Sequence, residues 1–509
     1  MPKRLWVALC LFVSLTSFAQ SPHESVTGKS CARAREVLEA GIKAMGGLDA
    51  LKAINNISRE MAGVRTDEGQ GPRPIPHRGD YYRNGEAPVV NHPKIKHVHD
   101  LRGQRLSDSL DDVIFGGQPL RIRNILIRDS AINIDYNLGT MEVRQLPNAA
   151  AARVNRSIRY PEILLSVVWD RRETLRYLGE SHYEGQKQWV ISFAHQNGAQ
   201  ISLYFNAQTG LPTKSEILSD HPALGDTADE IVYDDWRPVG KLTLPFRHIN
   251  KVGGVILQDL RASSITVDAK LDESLFFAPE GLAKVERTPP ARKIVKLGED
   301  AYLAPGDYNS VFVVFNDYIL ALEAGSDNQS SANVIAQIKE TAPGKPIRYL
   351  VSTHFHFDHV GGVRGFIAEG ATIVTTPDAK PVIERAAAAA HAMRPDALSL
   401  SPRAPVIETM KGKRVFDDGA HRVELYEFSN PHCAEMIIAW LPKEKILFEA
   451  DMLDITYPDH IGQGGEDTAA LLGKIQELGL AVEQIVPVHG QMGTIDHLRR
   501  AVLRDKANK

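Results

Sequence analysis

The feature that most constrains this chain is a run of ligand-type side chains directly after one apolar strand, residues 347–352. His354, His356, Asp358 and His359 follow that strand within seven positions. Residues two apart in extended backbone point to the same side, so His354 and His356 can present two imidazoles to one ion. Two histidines make half of a tetrahedral zinc site, and Asp358 and His359 can address a second ion beside it. The pattern predicts a metal centre at the carboxyl end of this strand.

Three further ligand-type residues follow later predicted strands. They are His432, Asp451 and His489. Taken singly, each has another plausible role, since a histidine can be a satisfied core residue and an aspartate can cap a helix. Active sites of α/β sheets gather at the carboxyl ends of strands, where side chains from several strands meet. We therefore expect these three to complete the ligand set.

The second half of the chain alternates short apolar strands with amphipathic helices, which indicates an α/β domain. The predicted elements cover 311–322, 332–340, 347–352, 363–368, 371–376, a long helix through 386–392, 422–428, 436–441, 445–449, 468–478 and 494–505.

The first half has a different pattern. One amphipathic helix is predicted over 32–45, and Gly46-Gly47 ends it. Short alternating segments then run from about 57 to 277, with one hairpin formed by 188–193 and 200–205 around Asn197-Gly198 and another by 230–236 and 242–249. We predict an antiparallel sheet with a few helices.

His97, His99 and Asp100 are the nearest approach to a ligand cluster in this half. They stand among charged residues, so we predict that they lie on the surface. The Pro-rich, charged stretch 279–296 has the composition of a linker. The predicted organisation is a signal peptide over 1–19, a β-rich domain over 20–286 and a catalytic domain over 287–509.

Composition narrows the partners and the redox chemistry. A chain of 509 residues with 43% hydrophobic residues is long enough for two or three packed domains. The 59 basic and 63 acidic residues give a net charge of −4, so the basic excess used in nucleic-acid binding is missing and we predict no such partner. Three cysteines cannot form a disulfide framework, and Cys31 and Cys433 are expected to be free thiols. Nothing in the sequence sets the oligomeric state.

The first residues are typical of a secretory signal. Lys3 and Arg4 precede an apolar stretch over 5–18, and the small residues Ser17 and Ala19 have the spacing that a signal peptidase recognises. Cleavage after Ala19 predicts a periplasmic or secreted protein with no stable membrane span. Retention as a membrane anchor is the alternative, but the apolar run is shorter than the roughly 20 residues that a spanning helix needs. Cys10 follows Leu9 in the apolar run, which does not favour lipidation.

The pattern His-X-His-X-Asp-His, then a lone His, an Asp at a strand end and a last His before Gly490 resembles the metallo-β-lactamase superfamily. The resemblance implies a four-layered αββα sandwich with a binuclear site, in which His354, His356 and His432 hold one metal, Asp358, His359 and His489 hold the second, and Asp451 bridges them. Tyr308-Asn309-Ser310 matches a Tyr-Asn-Ser of the family. Two positions depart from the family. Glu323 stands where an Asp is usual and would support the site with a longer side chain. Cys433 stands where Thr or Ser is usual, and this leaves open a redox-sensitive residue beside the metal ligands.

The first half resembles the half-barrel domains of periplasmic lipoprotein carriers and lipoprotein-sorting proteins. The resemblance is carried by a helix that ends in Gly-Gly-Leu-Asp-Ala-Leu, by Thr209-Gly210-Leu211-Pro212, and by 279–282 at the close of the meander. It implies a curved sheet with a hydrophobic concavity that either holds an acyl chain or packs on its neighbour. A plain accessory β-domain is the alternative.

The predicted reaction follows from the charges of the centre. Two divalent ions, zinc by default and iron or manganese as the rival, would bind a bridging hydroxide that attacks the bond of a small-molecule substrate. Asp358 is the predicted proton shuttle. With Asp451 present, the seven-ligand pattern resembles that of lactonases and glyoxalase II-type thioesterases, and this resemblance implies hydrolysis of an ester, lactone, thioester or amide bond. The alternatives are β-lactam hydrolysis, an iron-dependent oxidoreductase of the same fold, and a non-catalytic acyl or lipoprotein carrier, although a carrier does not explain the ligands.

Overall fold

The computed structural model describes residues 25–66, 69–74, 91–114, 117–128, 130–145, 159–196, 198–286 and 293–508. The predicted signal peptide over 1–19 lies outside the described residues. So do Asn197 of the predicted turn and residues 287–292, where the boundary between the two domains was predicted.

The N-terminal half is one sheet of 14 strands, antiparallel except where its last strand pairs with β6. The strands are β1 Asn56–Arg65, β2 Lys94–Asp100, β3 Arg105–Ile114, β4 Gln118–Ile127, β5 Ser130–Asp135, β6 Thr140–Gln145, β7 Arg176–Tyr183, β8 Gln186–Ala194, β9 Gln200–Asn206, β10 Pro212–His221, β11 Gly225–Val239, β12 Leu242–Val252, β13 Val255–Val267 and β14 Ala283–Val285. The described helices are α1 Val26–Ala44, α2 Leu48–Lys52 and α3 Pro161–Asp170, with 3-10 turns at Arg172–Thr174 and Glu273–Phe276. The strand-rich architecture is as predicted.

Helix α1 packs on this sheet through its apolar face. It begins at Val26 rather than at residue 32 because Ser25 caps it, accepting a hydrogen bond from the Gly28 backbone N–H at 3.0 Å. Val37, Leu38 and Ile42 are buried. Gly41 faces the Phe205 ring so closely that a Cβ there would overlap it. Glycine at this position therefore permits the close approach of helix and sheet.

The prediction that His97, His99 and Asp100 lie on the surface was wrong. All three belong to β2 and are buried. His97 pairs with Asp108 on the neighbouring strand, and Asp100 accepts from Arg105 Nε at 2.6 Å. The ring of Tyr160, just before α3, lies 4.7 Å from that of His97. Polar partners within the sheet thus allow charged and polar residues to be buried here.

The C-terminal half consists of two sheets, one of seven and one of six strands. The first contains β15 Val295–Lys296, β16 Ala301–Ala304, β17 Ser310–Val314, β18 Ile319–Leu322, β19 Ile347–Val351, β20 Thr372–Thr375 and β21 Val406–Thr409. The second contains β22 Lys413–Asp417, β23 Arg422–Phe428, β24 Met436–Leu441, β25 Ile446–Glu449, β26 Gln484–Pro487 and β27 Gly493–Thr494. The helices are α4 Asn328–Thr341, α5 Phe357–Val360, α6 Val363–Glu369, α7 Ala379–Ala388, α8 Ala397–Leu400, α9 Glu466–Glu477 and α10 Ile495–Asn508.

Alternating side chains of β17 show how these layers pack. Val311 and Val313 belong to a core that also contains Leu425 and Ile437 of the second sheet, so the two sheets face each other across it. Phe312, between them, belongs to a different core, which includes Ile338 of α4. Each sheet therefore has one face on its partner and the other under helices, which is the predicted αββα arrangement.

Two predicted elements end differently in the structure. The segment 311–322 forms two strands, because the chain turns at Asn316-Asp317. The helix predicted through 392 ends at Ala388. Arg364 Nη1 donates to the carbonyls of 386, 387 and 389 at 2.9, 2.8 and 3.1 Å, which satisfies the acceptors of the last turn and stops the helix there. Among the described residues, no helix has both the length and the apolar character needed to cross a membrane.

Candidate metal centre

The first group of ligand-type atoms is formed by His354, His356, His432 and Asp451, whose ligand atoms all lie within 4.8 Å of one another. The Nε2 atoms of His354 and His432 each lie 3.2 Å from Asp451 Oδ2. His432 Nε2 is also 3.2 Å from His356 Nδ1. Three imidazoles and one carboxylate thus point at one small volume, as a metal-binding site requires.

The second group is formed by Asp358, His359 and His489. His359 Nε2 lies 2.9 Å from Asp451 Oδ2, and His489 Nε2 lies 2.6 Å from Asp451 Oδ1. Asp358 Oδ2 is 3.7 Å from His359 Nε2 and 4.0 Å from His489 Nε2. Asp451 Oδ2 therefore contacts histidines of both groups, whereas Oδ1 contacts His489 of the second group. The structure brings together all seven residues that the sequence singled out as ligands.

Strand ends place these side chains. The stretch 354–359 follows β19, Asp451 follows β25 and His489 follows β26, and the last two strands are parallel neighbours. Asp451 has a φ of 64° and Glu323, at the end of β18, has a φ of 66°. Both lie in the left-handed region, which costs a non-glycine residue on the order of 1–3 kcal/mol and persists where surrounding structure imposes it. The packed sheets therefore hold two site residues in strained backbone.

Four buried polar atoms of the centre form no hydrogen bond of good geometry in the described part of the chain, although each lies within 3.6 Å of an ion-pair partner. They are His354 Nε2, His359 Nδ1, His359 Nε2 and Asp451 Oδ2. Buried polar atoms in proteins are normally hydrogen-bonded, so four atoms that converge here without hydrogen bonds indicate a place for a ligand. Nitrogen and carboxylate oxygen atoms are the donor set that zinc, iron and manganese accept. The residues present therefore fit a metal centre.

The protonation states of the ligands agree with this fit. Burial lowers the pKa of His356 to about 3 and that of His354 well below its usual value, so both imidazoles are neutral. Burial alone would raise the pKa of Asp451, but His359 and His489 hold it well below its usual value. Metals bind the neutral imidazole and the ionised carboxylate, the forms in which His354, His356 and Asp451 are present. Against the effect of burial, the charges of Asp451 and Asp358 raise the pKa of His359 well above its usual value, so an ion that binds there would displace a proton.

Side chains around the ligands fix their orientation. Glu323 Oε1 accepts from the Thr353 backbone N–H at 2.8 Å, and its Oε2 lies 3.6 Å from His359 Nδ1. Its longer arm thus reaches His359, as the departure from the family pattern implied. The Tyr308 hydroxyl donates to Asp358 Oδ2 at 3.0 Å.

The neighbouring Asn309 fixes the loop that carries His489. Its Nδ2 donates to the carbonyls of Pro487 and Gly490 on either side, both at 2.9 Å. The Tyr-Asn-Ser segment therefore supports the second group of ligands.

The N-terminal half reaches into the same centre through residues 69–74, which we call the strap. Gln70 Nε2 donates to Asp358 Oδ1 at 2.6 Å, and His356 Nε2 donates to the Gly71 carbonyl at 2.8 Å. Backbone hydrogen bonds join Phe357 N to the Gly69 carbonyl at 3.0 Å and Ala434 N to the Pro72 carbonyl at 2.9 Å. A histidine that donates one ring N–H to a carbonyl keeps the other nitrogen free for a metal, so Gly71 leaves His356 Nδ1 directed at the first group.

Sequence reasoning missed the strap. Gln70 and Gly71 stand in a Gly-Gln-Gly-Pro stretch that has no strand or helix periodicity, and Gln70 is 288 positions from Asp358. The composition indicates a loop and carries no signal of where that loop docks.

Cys433 is buried, and burial raises the pKa of its thiol to about 12. Its Sγ donates to the Glu435 carbonyl at 3.2 Å. A thiol with this pKa is almost entirely protonated near neutral pH, which disfavours a redox role for Cys433.

Residues 303–462 match the sequence profile described as the metallo-beta-lactamase superfamily. Among solved structures, a metallo-beta-lactamase from Pontibacter korlensis is 19% identical, with 42% of this chain and 98% of that chain covered and a TM-score of 0.34. The metallo-beta-lactamase FIM-1 from Pseudomonas aeruginosa in its mono-zinc form is 18% identical, with 44% and 97% covered and a TM-score of 0.32. DIM-1 metallo-beta-lactamase exposed to ceftazidime is 19% identical, with 44% and 100% covered and a TM-score of 0.31.

The profile covers three of the four chain segments that bear the ligands, 354–359, 432 and 451, and leaves out His489 and the whole N-terminal sheet. No comparison bears out the resemblance of the first half to lipoprotein carriers, and it stays a prediction. The αββα layers and the ligand positions agree with the match of residues 303–462 to the metallo-β-lactamase superfamily, whose fold generally belongs to metal-dependent hydrolases.

Proposed function

We propose that this protein is a binuclear metal-dependent hydrolase that uses water to cleave an ester, lactone, thioester or amide bond. The observation that carries the proposal is Asp451, whose Oδ2 lies between two groups of ligand-type side chains, 3.2 Å from His354 Nε2 of the first group and 2.9 Å from His359 Nε2 of the second. A carboxylate in this position is what a pair of neighbouring ions shares. Zinc is the expected metal, with iron or manganese as the rival.

Bound divalent ions would supply the chemistry of lowering the pKa of a water molecule and polarising a carbonyl oxygen. The chain itself contributes orientation and proton transfer. Asp358 is held by two donors, Gln70 at Oδ1 and Tyr308 at Oδ2, so its carboxylate cannot swing away from the centre. A carboxylate fixed in this way can take a proton at Oδ2 and release it to a leaving group, the role of a general acid–base.

The packing around the centre also limits the access of water. His354, His356, His359 and His432 are each at most 1% exposed, whereas His489 is partly exposed. Substrate therefore approaches from the side of Asp358 and His489. Exclusion of water strengthens the interaction of the centre with developing charge on the substrate.

Metal content and hydrolysis, measured on the same preparation of purified protein, test the proposal. We expect elemental analysis to find about two ions per chain, zinc first, and chelation to abolish hydrolysis that returns when the metal is restored. The substrate panel contains aryl esters, lactones, thioesters and aryl amides. Folded protein with only a trace of metal would overturn the proposal, as would hydrolysis that survives complete removal of the metal.

β-Lactam hydrolysis is the second candidate, and the match of residues 303–462 to the superfamily profile favours it. A chromogenic cephalosporin belongs in the same panel. If it is hydrolysed faster than every ester, lactone and thioester, the second candidate replaces the first.

We also propose that the chain is secreted or periplasmic, with cleavage after Ala19, on the support of the cationic start and the apolar run over 5–18. The mature protein should then begin at Gln20. Mass spectrometry of protein expressed from the full-length gene tests this, and an uncleaved N terminus in the cytoplasmic fraction would contradict it.

A further inference from the structure

A cavity of about 240 Å³ lies between the two halves of the molecule, and Asp358 forms part of its wall. The apolar wall comes from Pro222, Leu224, Val252, Val255 and Leu257 of the N-terminal sheet, together with Phe357. No lysine or arginine stands among the described residues of this wall. The N-terminal half therefore supplies most of an apolar surface that adjoins the centre at Asp358.

The wall is held at a fixed distance from the centre. At the start of β11, just after the turn from β10, Asp226 N donates to the Ala390 carbonyl at 2.7 Å and Asp226 Oδ2 accepts from the Ala392 N–H at 2.7 Å. His391 Nδ1 lies 2.6 Å from Asp220 Oδ1 at the other side of that turn. These contacts anchor the segment that carries Pro222 and Leu224, so the cavity is preorganised rather than formed by closure.

A second anchor lies at Phe357. The ring of Phe357 meets the ring of His221 at 5.4 Å, and its backbone N–H is bonded to the strap. A Cβ at Gly69 would overlap the Phe357 ring, so only glycine allows the strap to pass here. Phe357 directly precedes Asp358. The contacts that fix Phe357 in the cavity wall therefore also fix the backbone position of the Asp358 carboxylate.

We propose that this cavity binds a short, uncharged, apolar group next to the scissile bond of the substrate. The inference rests on the proposed function. The described wall offers an anion no lysine or arginine, and its carboxylate, Asp358, already accepts hydrogen bonds from Gln70 and Tyr308. Burial of an ionised group there is costly, whereas apolar surface gains about 25 cal/mol for each Å² removed from water. The volume lies below the roughly 300–1,000 Å³ of pockets that hold drug-sized ligands, so the group is short.

The cavity at Asp358 differs from a larger cavity of the molecule in its position relative to the metal centre. The larger cavity, of about 440 Å³, is enclosed by strands of the N-terminal sheet, and none of the seven candidate metal ligands contributes to its wall. A group bound there would not reach the centre. The cavity at Asp358 is the one whose occupant lies beside the proton shuttle.

Variants at Leu224 test the proposal. Leu224→Trp fills the cavity, and Leu218→Trp is the matched control, because Leu218 lies on the same hairpin, is 62% exposed and is not part of the wall. Two series of p-nitrophenyl and alkyl esters vary the chain on the acyl side or on the alcohol side. The series that responds to the variant shows which side of the bond the cavity holds.

For the wild-type protein, we expect kcat/KM to rise with chain length up to about six carbons in one of the two series, since each methylene that is accommodated raises it by about tenfold or more. Leu224→Trp should lower kcat/KM for the six-carbon ester at least about tenfold, mainly through KM, and change that for the two-carbon ester less than about threefold. Leu218→Trp should change neither. If Leu224→Trp does not fold, Leu224→Ala serves instead and should shift the optimum to longer chains.

Binding of hexanamide, followed by saturation-transfer NMR, gives a readout that does not depend on turnover. We expect it to bind the wild type and Leu218→Trp but not Leu224→Trp. Binding that depends on Leu224 without any hydrolysis upholds the cavity and overturns the proposed function. Hydrolysis with no effect of Leu224→Trp on chain-length preference or on hexanamide binding overturns the cavity proposal and leaves the hydrolase intact.

Discussion

Each half of this molecule contains a buried His-X-His pair, and the two pairs behave differently. His97 and His99 lie in the middle of β2, with ring centroids 6.0 Å apart. His354 and His356 lie beyond the end of β19, with ring centroids 4.3 Å apart. His97 is paired with Asp108 on the next strand, whereas His354 and His356 point at atoms of residues from two other strand ends.

The difference shows that a metal-ligand motif depends on its position in the fold as well as on its residue types. Inside a sheet, a histidine meets the side chains of adjacent strands at fixed spacing, and one carboxylate satisfies it. Beyond a strand end, the chain is free to converge with other strand ends. In the part of the chain that the structure describes, the groups of potential metal ligands are two, and both belong to the C-terminal half.

The largest effect is expected when the carboxylate of Asp451, which lies between the two groups of ligands, is replaced. Asp451→Asn should lower the metal content to less than one ion per chain and turnover by orders of magnitude, because both groups lose a charged ligand. Asp108→Asn, which alters the partner of His97, should leave the metal content at the wild-type value. Elemental analysis and kinetics on both variants check this. Equal metal loss in the two would break the distinction between the pairs.

The next effect concerns the proton shuttle. Asp358→Asn should keep the fold and lower turnover by about 10²- to 10⁴-fold, the usual contribution of a general acid–base. Asp100→Asn, at a buried aspartate of the N-terminal sheet, is the control and should keep turnover per folded molecule. Near-normal turnover of the Asp358→Asn variant would remove this residue from the mechanism.

A smaller effect is expected at the strap. Gln70→Ala removes a donor from Asp358 Oδ1, and loss of such an outer contact usually costs about 10- to 100-fold in metal affinity or activity. Gln208→Ala, at an exposed position of the same half, should cost nothing. Competition with a chelator measures the metal affinity. If both variants match the wild type, the N-terminal half has no share in the centre.

The smallest effect uses the buried histidine His248, whose ring lies between those of Tyr160 and Tyr233. Burial, with the charges of Arg59 and His97, lowers its pKa from 6.5 to about 3. Below pH 6.5, His248 is therefore protonated in the unfolded chain but stays neutral in the folded chain. This difference lowers the free energy of unfolding as the pH falls toward 3. Between pH 6.5 and 5 the loss is about 2 kcal/mol.

Denaturant unfolding of the wild type and of His248→Gln at pH 7 and pH 5 isolates this effect. The variant should lose less stability than the wild type on going to pH 5. The same loss in both proteins would show that acid acts on other groups.

The metal ligands could be predicted from the sequence because they lie at or just beyond the ends of strands. Each of the seven ligand-type residues follows an apolar segment of strand length, or stands directly beyond one, and the short apolar runs are recognisable by their spacing. The burial of His97 and His99 could not be predicted. Their neighbours Lys94 and Lys96 are polar, and the partner that permits their burial, Asp108, lies on a strand whose register is set only by the folded sheet.

Contacts between distant segments also escaped prediction. The end of α7 at Ala388 depends on Arg364, and the orientation of Asp358 depends on Gln70. The first contact forms within the C-terminal half and the second between the two halves, and no local pattern of hydrophobicity encodes either of them. The loops that carry function were therefore the least predictable part of the chain.

The hydrogen bond from His356 Nε2 to the Gly71 carbonyl ties metal affinity and domain docking to each other thermodynamically. If docking of the strap raises the affinity of the centre for an ion by some factor, the ion must raise the docking equilibrium of the strap by the same factor. Hydrogen exchange at 69–74 should accordingly slow when metal is added. Loss of an ion would then weaken the docking of the strap, which belongs to the N-terminal half, although that half supplies no ligand among its described residues.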